Sequence, residues 1–283
     1  MAYRTLITPQ TLYLHHQDDD WVVVDCRFWL DDTGKGRRDY LRAHIPGAVY
    51  AHLDEDLSAP VEPGVTGRHP LPAVSELAER LGRWGIGPEV QVVAYDDRGG
   101  AIAARLWWLL RYLGHDDVAV LDGGWPAWVE AGYPVDDVIP SPAPRTFEPH
   151  PRPEMLATAE DVLARMGDPA FRLVDSRAPE RYRGEQEPLD PVAGHIPGAL
   201  NYHFERNLTP QGGFEDAAVL RARFQALLGD TPPERVIFYC GSGVTAAHNV
   251  LAVTHAGLGT PRLYAGSWSH WITDPERPVV REA

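Results

Sequence analysis

Cysteine is scarce in this chain of 283 residues: there are two, Cys26 and Cys240. So few exclude a disulfide framework, and no Cys-x-x-Cys pair is present to hold zinc or run dithiol redox chemistry. Long apolar runs are missing as well. No stretch nears the roughly 20 residues that a membrane-spanning helix needs. The first residues, "MAYRTLITPQTLYLHHQDDD", lack the apolar core of a secretory signal. These absences point to a cytoplasmic setting in which thiols stay reduced. Positive charge is in deficit, with a net charge of −14 at pH 7. That disfavours a nucleic-acid backbone or an anionic membrane as partner. It leaves room for a small anionic substrate, because nearby arginines outweigh screened distant charge. What is present is 44% hydrophobic, enough at this length for two cores.

The chain is written twice. "VVVDCRFW" at 22–29 returns as "RLVDSRAP" at 172–179, and "AHIPGAVY" at 43–50 returns as "GHIPGALN" at 194–201. "VVAYDDRGGAIAAR" at 92–105 answers "VIFYCGSGVTAAHN" at 236–249, and "LDGGWPAW" at 121–128 answers "YAGSWSHW" at 264–271. Matches in one order indicate two tandem homologous domains, expected at 1–135 and 154–283. The proline-rich stretch 136–153 reads as a linker, since proline lacks an N–H and has a fixed φ. In each half, short β-branched runs ("WVVVDC", "VQVVAY", "FRLVDS", "RVIFYC") alternate with helical patterns such as "AIAARLWWLLRYLG". That alternation predicts an α/β fold, each half a mostly parallel sheet flanked by helices.

Ligands bind such sheets beyond the carboxyl ends of the strands. Cys240 stands there, after "VIFY" and before "GSGVT", which runs into a helical pattern ending at Gly257. Unpaired N–H groups and the dipole at a helix N-terminus favour a thiolate. Gly241 and Gly243 let the backbone curl around one point, and Ser242 and Thr245 bring hydroxyl donors. A cysteine at a strand end can also be a small buried hydrophobe; the glycine-rich turn favours a reactive thiol. Cys26, inside "VVVDCR", has no such turn and reads as core.

The doubled Asp-x-Arg and "HIPGA" pattern, the cysteine loop and the terminal Gly-x-Trp motif resemble two-domain rhodanese-type sulfurtransferases over essentially the whole chain. The resemblance implies an active C-terminal domain and an N-terminal one that has lost its cysteine. Aligning Tyr95 with Tyr239 indeed sets Asp96 opposite Cys240. It implies a Cys240 persulfide that carries sulfur from a small anionic donor to a thiol such as thioredoxin or glutathione, or to cyanide. No metal or organic cofactor is implied. "CGSGVTA", free of Lys and Arg, is similar to the loop of the 3-mercaptopyruvate sulfurtransferases, with Val244 and Thr245 among its donor-facing residues. Thiosulfate is the alternative donor.

Carried over residue by residue, Arg181 matches the arginine that grips the donor's anionic end, a role suited to its planar fork. Ser242, His69 in "RHPLP" and Asp54 in "AHLDEDL" match a serine–histidine–aspartate relay for the donor's thiol proton, which implies an active site built from both halves. The Asp54-to-His69 spacing is long for the family, leaving Asp56 or His52 as alternative partners. The family's second substrate arginine, in an "EPR" segment, is absent: here the segment is "EPLDPVAGH" with Leu189 and Asp190, and Arg183 is the nearest substitute. His44 and His195 in the "HIPGA" turns read as structural. Two other classes share a cysteine loop. A cysteine phosphatase needs an arginine after the cysteine, and 241–252 has none. A non-catalytic carrier or interaction module would not need to retain the cysteine.

Overall fold

The computed structural model describes residues 2–281. The chain forms two compact units. The first comprises the residues up to Ala59, Pro72–Arg152 and Thr209–Phe214; the second comprises Pro60–Leu71, Pro153–Leu208 and the residues from Glu215 onward. Each unit is built on a five-stranded sheet. The strands of the first are β1 (Leu6–Ile7), β2 (Trp21–Asp25), β3 (Val49–Tyr50), β4 (Gln91–Tyr95) and β5 (Val118–Leu121). Those of the second are β6 (Leu156–Ala157), β7 (Arg172–Asp175), β8 (Leu200–Asn201), β9 (Val236–Tyr239) and β10 (Arg262–Tyr264). The orders, β1-β5-β4-β2-β3 and β6-β10-β9-β7-β8, are the same order repeated. Every pairing is parallel.

The central strands β4 and β9 are buried along their whole length. This is why they read as continuous apolar runs without alternation: helices cover both faces of a parallel sheet. Among the helices are Val74–Arg83, Ala103–Tyr112, Ala217–Leu228 and Thr245–His255. Each falls within a segment whose sequence has a helical pattern. Ala103–Tyr112 and Thr245–His255 are apolar nearly all round because they follow directly on β4 and β9 and are buried against the sheet. Among the described residues, no helix is long and apolar enough to cross a membrane.

The repeated motifs do the same job twice. Asp25 and Asp175, each fully buried at the end of a strand, pair with Arg27 and Arg177 two residues on, both at 2.6 Å. The guanidinium then reaches the chain before the next turn, at Ala43 O and Gly194 O, each 2.7 Å away. Tyr95 and Tyr239 accept the N–H of Ile45 and Ile196 on their hydroxyls, at 3.3 and 3.2 Å. The "HIPGA" turn is thereby tied to the strand ends. His44 Nδ1 lies 2.7 Å from Tyr40 O and His195 Nδ1 2.8 Å from Tyr182 O, so both turn histidines are engaged with main-chain carbonyls.

The segment 137–152 has neither helix nor strand. It lies along the first unit through main-chain bonds from Arg145, His150 and Arg152 to Gly82, Leu113 and Tyr112, at 2.8–2.9 Å. Its prolines have no N–H to leave unpaired on that exposed path.

Removing one partner of a buried ion pair strands the other charge, at a cost of about 3–5 kcal/mol. Asp25→Ala leaves the Arg27 guanidinium in that position, and chemical denaturation followed by circular dichroism is expected to show a loss of that size.

Candidate active site

The turn after β9 surrounds Cys240 with donors. Cys240 is 2% exposed. Its own N–H donates to Ser267 Oγ at 3.0 Å, and its carbonyl accepts from Trp268 N at 3.0 Å. The sulfur stands at the start of the helix Thr245–His255. Burial alone pushes the thiol pKa up. It is outweighed by hydrogen bonds to the sulfur from the Thr245 hydroxyl and the N–H groups of Ser242, Ala246 and Gly243, so the pKa lies below the ordinary thiol range. Gly243 makes this curl feasible: its φ is +77°, and a Cβ there would lie 2.2 Å from Ala265 O.

Cys26 shows what burial does without such donors. It is fully buried, and its thiol is pushed well above the ordinary range by burial, then by the charges of Asp25, Asp96 and Asp56. It is an inert core thiol.

Ser267 carries a signal of its own. Its φ of +54° is the only positive one on a non-glycine among the described residues. Left-handed backbone is strained for serine. The hydroxyl donates to Tyr264 O at 2.8 Å while accepting the Cys240 N–H. The strain is thus held by bonds that fix the cysteine.

The segment 60–71 belongs to the second unit and brings His69 to the loop. His69 Nδ1 and Ser242 Oγ are 2.7 Å apart, and both side chains are buried. Arg68 N–H donates to Ser269 Oγ at 3.0 Å. On the other side, Arg181 is gripped by Glu187, with Nη2–Oε1 at 2.6 Å and Nε–Oε2 at 3.1 Å. Glu187 also binds Arg177 Nη1 at 3.2 Å, which links the site to the buried Asp175–Arg177 pair. Both arginines face Gly241. A Cβ there would meet Arg68 Nη2 at 2.7 Å and both terminal nitrogens of Arg181 at 3.6 Å.

The sequence pattern of the rhodanese-like domain matches residues 8–131 and again 158–274. The chain belongs to the rhodanese-like family. It is 51% identical over 281 residues, 99% of either chain, to a Pseudomonas aeruginosa protein named "Probable 3-mercaptopyruvate sulfurtransferase". It is 37% identical to the thiosulfate sulfurtransferase of Bos taurus, over 88% of this chain and 84% of that one. The solved 3-mercaptopyruvate sulfurtransferase from Leishmania major superposes with a TM-score of 0.82 at 30% identity, over 94% of this chain and 73% of that one.

Of the residues expected from the sequence, this rhodanese-like fold gathers Cys240, Gly241, Ser242, Gly243, Thr245, Arg181 and His69 at one end of the second sheet. Val244 precedes the first helical turn and is buried. Arg183 is bound by the exposed Glu185, at 2.7 and 2.9 Å. Asp54 lies in the first unit, its N–H donating to His52 Nδ1 at 3.2 Å. The two alternatives to it are engaged within that unit: Asp56 accepts from His52 N at 2.8 Å, and His52 Nε2 lies 2.9 Å from Thr33 O. Sequence reading passed over Arg68, Glu187 and Ser267. Arg68 had one signal, its place beside His69 in "RHPLP".

Thr245→Val removes one donor to the sulfur and keeps the shape. The pH profile of iodoacetamide alkylation at Cys240 is expected to shift to higher pH. The rate at neutral pH falls roughly tenfold, as suits one hydrogen bond to a charged group.

Proposed function

We propose that the chain is a sulfurtransferase that takes a sulfane sulfur from 3-mercaptopyruvate as a Cys240 persulfide and passes it to a thiol or cyanide. The observation that carries this is the buried thiol ringed by N–H and hydroxyl donors that favour its anion. The same donors suit a persulfide anion and act as an oxyanion hole does for oxygen.

The Cys240 thiolate attacks the donor's sulfur. The carbon–sulfur bond breaks, its electron pair goes to the methylene carbon, and the donor's thiol proton ends there, giving pyruvate. The Ser242–His69 pair suits the transfer of that proton. Asp54 takes the third place in the relay from the family resemblance. An acceptor thiolate or cyanide then attacks the outer sulfur and releases the Cys240 thiolate. Arg181 holds the donor's carboxylate, and the loop 240–246 brings no cation of its own. The 51% identical relative's name supports this donor.

Thiosulfate is the second reading, favoured by the name of the bovine relative. The same attack would release sulfite. A non-catalytic carrier has no use for a thiol held below its ordinary pKa.

Intact-mass spectrometry after treatment with 3-mercaptopyruvate is expected to show one added sulfur on the wild type and none on Cys240→Ala; an unmodified wild type overturns the reading. His69→Gln separates the donors. Turnover of 3-mercaptopyruvate should fall on the order of 100-fold, as for loss of a general acid–base group. Thiosulfate, which has no thiol proton to move, should lose far less.

A further inference from the structure

Beside Gly241, a carboxylate of the protein already sits between the two arginines. Asp190 Oδ1 pairs with Arg68 Nη1, and Asp190 Oδ2 accepts from Arg181 Nη2 at 3.2 Å. One oxygen meets each cation, the pattern a donor's planar carboxylate would make with two guanidinium groups. The Asp190 side chain is 3% exposed, so its charge is committed to this pair. Arg68 Nε is buried with no hydrogen-bond partner among the described residues, which leaves it donor capacity for a second anion.

The loop has supports other than the Asp190 carboxylate. Glu187 Oε1 accepts the N–H groups of Leu189 and Asp190 at 3.1 and 3.2 Å, and Glu187 binds Arg181 independently. Glu187 thus holds both the loop and Arg181 through contacts that do not involve the Asp190 carboxylate. The two arginines come from segments far apart in sequence, and both meet the carboxylate of the "EPLDPVAGH" stretch.

We propose that Arg68 and Arg181 together form the clamp for the donor's carboxylate, and that Asp190 is a resident competitor for it that sets the donor's apparent affinity. The proposal rests on the reading of the Cys240 site as one for a carboxylate-bearing donor. Arg68 is then a binding residue, and Asp190 a specificity-determining one that favours anions able to take both guanidinium groups at once.

The test compares alkylation of Cys240 by iodoacetate, which carries a carboxylate, with that by iodoacetamide, which does not, each followed by peptide mass spectrometry. The ratio of the two rates cancels changes in thiol ionisation and in the folded fraction. Arg68→Gln is expected to lower the iodoacetate-to-iodoacetamide ratio roughly tenfold, and Asp190→Asn to raise it by about three- to tenfold, on the scale of a charge-assisted pair. KM for 3-mercaptopyruvate should follow, rising in Arg68→Gln and falling in Asp190→Asn. A ratio that either substitution leaves unchanged, or that both move in the same direction, overturns the proposal. If the wild type takes sulfur from 3-mercaptopyruvate and the ratio fails, only the clamp is lost. If it takes none, the functional reading fails, and the ratio still decides whether the clamp exists.

Discussion

A single acceptor side chain, held by main-chain N–H groups where the central strand turns into a helix, stands at the same point of both halves. The first turn of a helix has N–H groups without partners inside the helix, and the helix dipole makes their neighbourhood positive. An acceptor placed there satisfies them. In the first unit it is Asp96, whose carboxylate accepts from Arg98, Gly100, Ile102 and Ala103 at 2.7–2.9 Å. In the second it is the sulfur of Cys240, with Ser242, Gly243 and Ala246 as its main-chain donors. The carboxylate is a permanent filling. The sulfur fills the same place with a side chain that is a nucleophile once ionised.

The neighbouring features follow from this constraint. Gly243 is needed because the chain must bend tightly against Ala265. The residue after the next glycine turn closes on the strand end in both halves: Trp125 N–H donates to Asp96 O and Trp268 N–H to Cys240 O. The ion pairs extend the same order outward. Asp175 fixes Arg177, Arg177 shares Glu187 with Arg181, and Arg181 faces the reactive turn. Buried charges of this kind are costly unless every partner is present, so Arg181 inherits its position from the core.

Much of this was legible in the residues themselves. The two sheets follow from four apolar strands and a doubled motif order, and the Cys240 turn is local enough to read directly. Arg181 and Ser242 came from the family resemblance, matched by their places after Asp175 and in the Cys240 loop. What short spacings could not report were the pairings made across the chain. His69 and Ser242 are 173 positions apart, and Arg68 and Asp190 are 122 apart. No periodicity reports contacts of that range. Ser267 was hidden for another reason: its left-handed φ is a backbone property that a serine in a string of letters does not announce.

The sequence by itself determined the α/β class, the duplication and the glycine-rich turn that sets Cys240 apart from Cys26, because each rests on patterns a few residues long. Only the tertiary structure decided which side chains stand around the sulfur. Asp190 reads as the loss of a family arginine in the chain, yet in the fold it lies between Arg68 and Arg181. Arg183 reads as the natural substitute, yet it is held by Glu185. The physical reason is that an ion pair depends on distance in space. Residues 60–71 cluster with the second unit, far in sequence from the loop they meet.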